Sequence, residues 1–188
     1  MYIVQKCLTL PLIMWNLEAL IQVKAFARQY GLVLTALWVA SFLAIMYAPR
    51  TPLGSFLAVA SPFLVGYLLV RFRNYALNGV ISFRRGLTFS WYTFFYASLL
   101  FAVFQYIFFR YLDQGTMMTM LLSSVKALEP IYLENGISKA ELDAGVSAIG
   151  QLSPIQLAFI FMIQNMFFGM IASFPIAFFA RRSNTYRK

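Results

Sequence analysis

LTFSWYTFFYASLLFAVFQYIFF, residues 87 to 109, runs from end to end without a charged side chain. A stretch of about 20 predominantly apolar residues suffices to cross the hydrocarbon core of a bilayer. The chain around it has 188 residues, 61% of them hydrophobic and only 11% charged, with 20 Phe, 11 Tyr and 9 Met. Soluble domains hold about 45–50% apolar residues. A domain of this size leaves much of its surface exposed, so in water it cannot hide so much apolar area. Lipid is the expected solvent, and one domain fits the length.

Working outward, three more uncharged apolar runs qualify as spans: 31–48, 53–70 and 154–179, with 87–109 as the third in chain order. The shortest cover about 27 Å as helix, close to the core thickness. Backbone polar groups in lipid must pair within the segment, so each run is read as an α-helix. Ala48-Pro49-Arg50-Thr51-Pro52 cannot continue a helix and joins the first two spans as an antiparallel hairpin. Ser153-Pro154-Ile155-Gln156 reads as a capping box opening the fourth. Pro62 and Pro175 are expected to kink spans two and four.

The charges sort by side. Lys6, Lys24, Arg28, Arg71, Arg73, Arg84, Arg85, Arg181, Arg182, Arg187 and Lys188 fall together. Arg50, Arg110, Lys126 and Lys139 fall opposite, with five of the six acids. The positive-inside rule then places both termini in the cytoplasm. The net charge of +9 lies beside apolar runs and is matched to anionic lipid headgroups, not to nucleic acid. Arg71, Arg73, Arg84 and Arg85 of the 71–86 connector, with Arg181 and Arg182, are the expected headgroup and topology residues. A docking site for an acidic partner is the less favoured reading of the connector.

Residues 1–30 form the expected cytoplasmic N-terminal segment and 180–188 a basic cytoplasmic tail. Within 15–30, Trp15, Ala19, Val23, Phe26 and Tyr30 share one helical face, which suggests an amphipathic helix in the headgroup region. Packing of that face on the connector is the plainer alternative. Met14 is an expected alternative start, because the first thirteen residues fit neither a signal peptide nor a lipoprotein site. The outer cap, 110–153, divides into two expected helices: Met-rich 116–128, and one opened by a Ser138–Glu141 capping box. Its adaptable Met surface suits binding, while a plain lid over the bundle is favoured.

Small residues recur every fourth position: Ala36, Ala40 and Ala44 in span one, Gly54, Ala58 and Gly66 in span two, Gly169 and Ser173 in span four. Such faces let membrane helices approach closely, and the first two ladders are expected to face each other across the hairpin. Gln105, Gln164 and Asn165 are the strongest polar groups within spans. They read as interhelical hydrogen-bond partners or, alternatively, as a polar substrate path.

Histidine is absent and Cys7 is the only cysteine, so a histidine-activated nucleophile, an internal disulfide and the usual zinc or iron–sulfur ligand sets are excluded. No ionisable group lies within a span, which argues against ion-coupled transport. No cofactor and no catalytic residue is expected.

KAFARQYG (24–31) leading to Leu37, Trp38, Ser41 and Phe42, ISFRRG (81–86) and YLDQG (111–115) resemble segments of a family of bacterial inner-membrane proteins with four helices, grouped as a domain of unknown function. The resemblance runs from about Met14 to Ser183 and implies the inner membrane and a four-span plan. It brings no catalytic residues. The resulting expectation is an all-α polytopic membrane protein of four transmembrane helices, with an N-terminal amphipathic helix and a helical outer loop between helices three and four. The favoured role is a non-enzymatic scaffold or accessory subunit of the envelope, with an envelope protein or a second copy as partner. A small transporter or lipid-handling protein is the alternative.

Overall fold

A computed structural model describes residues 2–182, with side chains from Leu17 onward. Readings that rest on the first sixteen side chains, among them Trp15 and the Met14 start, and on residues 183–188 of the basic tail lie outside the described residues. The order is α1 (Tyr2–Tyr47), α2 (Leu53–Val59), α3 (Ser61–Ala76), α4 (Phe83–Tyr111), α5 (Thr116–Ala127), α6 (Glu129–Glu134), α7 (Lys139–Gly150) and α8 (Pro154–Ala180). Three of these are long and apolar enough to cross a membrane: the Leu17–Tyr47 part of α1, α4 and α8. The pair α2–α3 passes the same test when taken together, but it bends by 41° at its junction. The architecture is all-helical, with the three or four apolar helices of a multi-pass membrane protein.

The bend has a local cause. Pro62 has no N–H to donate to the carbonyl four residues back, that of Ala58, and its ring crowds that turn. The helix therefore breaks at Ala60 and restarts at Ser61. The restart is anchored to α1, because the indole Nε1 of Trp38 donates to Ser61 Oγ at 2.8 Å in a buried setting. A second tie closes the hairpin, with the Ser41 hydroxyl donating to the Gly54 carbonyl at 2.7 Å. Pro175, by contrast, sits inside α8 without interrupting it.

Four boundaries differ from the sequence reading. The segment 15–30 is not a separate surface helix, since α1 is continuous to Tyr47. No proline lies between residues 15 and 47; Gly31 stays helical where α1 passes close to Thr93 and Tyr96 of α4. The face formed by Val23, Ala27, Phe26 and Tyr30 packs inward, Phe26 lying 5.0 Å from Phe72 and Tyr30 lying 5.9 Å from Phe89. The second apolar helix extends past Val70 to Ala76, because Arg71 and Arg73 are good helix formers. α4 begins at Phe83 rather than Leu87, with the Ser82 side chain accepting from Arg85 N–H. The cap holds one more helix than expected, α6, whose Pro130 occupies the favourable first turn.

Both capping boxes form. Gln156 Oε1 accepts from the backbone N–H of Ser153 at 2.9 Å and from its hydroxyl at 2.7 Å. Glu141 accepts from the N–H and hydroxyl of Ser138. Those bonds hold its exposed carboxyl below the usual glutamate range.

α4 is the central helix, touching α1, α3 and α8. Its buried face is aromatic: Phe89, Phe94, Phe101, Phe108 and Phe109. Phe42 of α1 meets Phe108 at 5.0 Å, and Phe72 of α3 stacks on Phe89 at 4.7 Å. On the opposite flank, Gly169, Ser173 and Ala177 of α8 are buried, with Gly169 against Phe94 and Ala177 against Gly86. The basic connector clasps the end of α8. Arg73 Nη1 donates to the Ala180 carbonyl at 2.9 Å, and Ile81 and Arg182 exchange two backbone bonds of 3.1 Å. Asn78 and Gly79, both at positive φ, make the tight turn that brings Ile81 there.

This end of the bundle is called the basic side below; the end with α5–α7 is the cap side. A Cβ at Gly169 would overlap the base of the Phe94 side chain. Gly169→Leu is therefore expected to destabilise the α4–α8 contact by about 1–3 kcal/mol through overpacking. Thermal unfolding in detergent measures this.

Candidate functional site

On the cap-side half of the bundle, α1, the α2–α3 bend, α4 and α8 diverge around a cavity of about 520 Å³. Its walls are apolar: Phe42, Ile45 and Met46 from α1, Phe94 and Phe101 from α4, Phe161, Phe168 and Ala172 from α8. Met117 of α5 reaches the lining from the cap. α5 is placed there by Asp113, whose carboxylate accepts from the N–H groups of Thr116 and Met117. Ile45, Ala58, Phe168 and Ile171 belong both to the lining and to the exposed surface. The cavity therefore opens sideways, toward the surface of the apolar helices. That gap exists because α2 leans on α1 and makes no substantial contact with α8.

Five polar side chains line the space: Trp38, Ser41, Ser61, Gln105 and Asn165. Three are already engaged, Trp38 with Ser61 and Ser41 with Gly54. Gln105 is not. It is 2% exposed, and its Oε1 finds no hydrogen-bond partner among the described residues. An unpaired buried amide oxygen carries a desolvation penalty of about 1–3 kcal/mol. None of the lining residues is ionisable, so the site has no acid, base or metal ligand of its own. Among the described residues no group of three acidic or thiol side chains comes together elsewhere.

The structure brings Gln105 and Asn165 into the lining of one cavity, from the neighbouring helices α4 and α8. Gln164 is exposed on α8 and does not line it. Of the small residues, Gly169 and Ser173 form the α4 interface, and Gly54 is buried against Ser41 and Ile45. Ala58 lies at the cavity mouth. Ala36 and Ala40 are exposed, Ala44 is half-buried, and Gly66 has open space where a Cβ would stand. The span-one ladder therefore does not face the span-two ladder; the hairpin closes through the Ser41–Gly54 face instead.

Of the arginines, Arg71, Arg84, Arg181 and Arg182 are exposed, while Arg73 and Arg85 are half-buried and tied to the Ala180 carbonyl and to Gln22. Arg71 also borders a shallow depression with Tyr67, Asn74 and Tyr75. Sequence reasoning missed Trp38, Ser61 and Met117 as site residues. The signal for the first two was Pro62: a break at that depth requires a polar anchor.

Residues 29–182 match the model of a family described as protein of unknown function, DUF4199. The chain belongs to the DUF4199 family. The matched stretch contains every residue of the cavity lining. No curated protein and no solved structure matches the chain.

For this DUF4199 chain, the unpaired Gln105 Oε1 is a cost to stability. Gln105→Met keeps the side-chain length and removes the orphan, so the empty protein is expected to gain about 1–3 kcal/mol. Differential scanning calorimetry after delipidation measures the gain, and a loss of stability would show that the amide is structurally paired.

Proposed function

We propose that this is a lipid-handling membrane protein that draws an apolar guest sideways out of the bilayer into the cavity between α1, α2–α3, α4 and α8. The observation that carries the reading is an apolar cavity of about 520 Å³ whose lining includes exposed residues of the apolar helices, Ile45, Ala58, Phe168 and Ile171. Ligand sites are typically apolar hollows of about 300–1,000 Å³ with a few polar groups that fix orientation. The lining holds no titratable group, which supports a role in binding and positioning a guest.

The test is native mass spectrometry of the protein extracted in mild detergent. A small apolar guest is expected on the wild type and absent from Ala172→Phe, which fills the cavity from α8. Two bare proteins would refute the reading. The scaffold or accessory-subunit reading keeps one supporting observation, the outward-facing pair Ala36 and Ala40, a surface on which membrane helices pair. A bare cavity together with a reproducible protein partner would restore it.

The same proposal takes α2–α3 as one broken span. That gives four crossings, with the 112–153 loop outside a bacterial inner membrane and both termini in the cytoplasm, as the positive-inside rule directs. In a Cys7→Ala background, single cysteines at Gly79 and Asn135 are expected to react with impermeant thiol reagents from opposite faces. Labelling of both from one face would overturn the four-span plan.

A further inference from the structure

The face of α8 turned away from the bundle holds one side chain out of keeping with lipid. Gln164 is exposed there, among the likewise exposed Ile160, Ile163, Phe167 and Phe174. Among the described residues the side-chain hydrogen bonds of α8 are those of Gln156 with Ser153 and of Ser173 with Gly169; Gln164 makes none. We infer that Gln164 seats a second copy of this chain: two α8 helices pair through this outward face, and their Gln164 amides exchange hydrogen bonds. The contact does not depend on what the cavity holds.

Depth creates the need for a partner. α8 runs 27 residues, Pro154 to Ala180, or about 40 Å at 1.5 Å per residue. Gln164 stands about 15 Å from one end and about 24 Å from the other. A hydrocarbon core about 30 Å thick therefore includes it wherever along α8 that core is placed, at least about 6 Å inside the nearer edge. An amide left without a partner in hydrocarbon is strongly disfavoured, and glutamine in a membrane helix bonds across to another helix. The neighbours α3 and α4 cannot serve it. They meet α8 on its other side, where Gly169, Ser173 and Ala177 are buried.

Symmetry selects the occupant. Two copies inserted in the same orientation are related by a two-fold axis along the membrane normal, and such a contact sets one patch against itself. Residues near the axis then meet their own counterparts at equal depth. An amide suits this arrangement, because its NH2 donates and its carbonyl oxygen accepts, so two Gln164 side chains form a reciprocal pair of bonds. A different membrane protein would have to carry a polar group to that depth; a second copy does so by construction. Charge does not oppose the pairing, since no ionisable residue occurs from Pro154 to Ala180.

Two measurements test the contact. In membranes, in a Cys7→Ala background, Ile160→Cys and Phe167→Cys, one turn to either side of Gln164, are expected to give disulfide-linked dimers on oxidation. Ala40→Cys, on the exposed face of α1, is expected to give none. Energy transfer between labelled copies, diluted with lipid in vesicles, reads the monomer–dimer equilibrium. Gln164→Leu, checked for an unchanged thermal unfolding curve, is expected to weaken the dimer about five- to thirtyfold, the range for polar contacts between model membrane helices. Gln164→Asn, which keeps the amide, is expected to retain most of the affinity. A monomer at every dilution, a dimer indifferent to Gln164→Leu, or cross-linking through Ala40→Cys alone overturns the pairing. So does a cross-link from Ile160→Cys to a different protein in place of a second copy.

Discussion

The hydrogen bond from Trp38 to Ser61 fixes where the broken helix restarts, and the cavity depends on it. In lipid a helix satisfies its own backbone, so Pro62 imposes a defect that must be settled by neighbours. The bend at Ala60 carries α2 onto α1, where Ser41 binds Gly54, and leaves α8 uncovered. A single missing N–H thus propagates into a hollow that reaches the surface.

The rest of the bundle is held by shape. Lipid offers no hydrophobic drive between helices, so close approach and aromatic contact supply the association. α4 meets α8 through small residues and α1 through Phe42 and Trp38 against its own phenylalanines. Polar ties are few and placed at the ends or at the break. Gln105 departs from this economy: it is buried in the cap-side part of α4, and its Oε1 has no hydrogen-bond partner among the described residues.

Much of the architecture was legible in the sequence. Uncharged runs located α4 and α8 to within a few residues, and Ser–x–x–Gln and Ser–x–x–Glu placed two helix starts, because caps are local chemistry. Continuity of α1 was not, since amphipathicity reports a buried face without saying whether lipid, water or another helix covers it. The ladders misled for a related reason: four-residue spacing is common in alanine-rich helices, and only the neighbours show which ladder is used. Gln164 and Asn165 illustrate the limit for the site. They are adjacent in sequence but about 100° apart around the helix, so one faces outward and the other lines the cavity. The cavity depends on a tertiary gap, which no local pattern encodes.

The clasp between the 71–86 connector and the end of α8 makes the two extremities of that helix unlike. Arg73, Ile81 and Arg182 bolt it by hydrogen bonds at one extremity, whereas at the other Leu157, Ala158 and Phe161 are held by apolar packing, Phe161 lying 6.2 Å from Phe109. One helix is thus fastened directionally at its arginine-rich root and by shape at its tip.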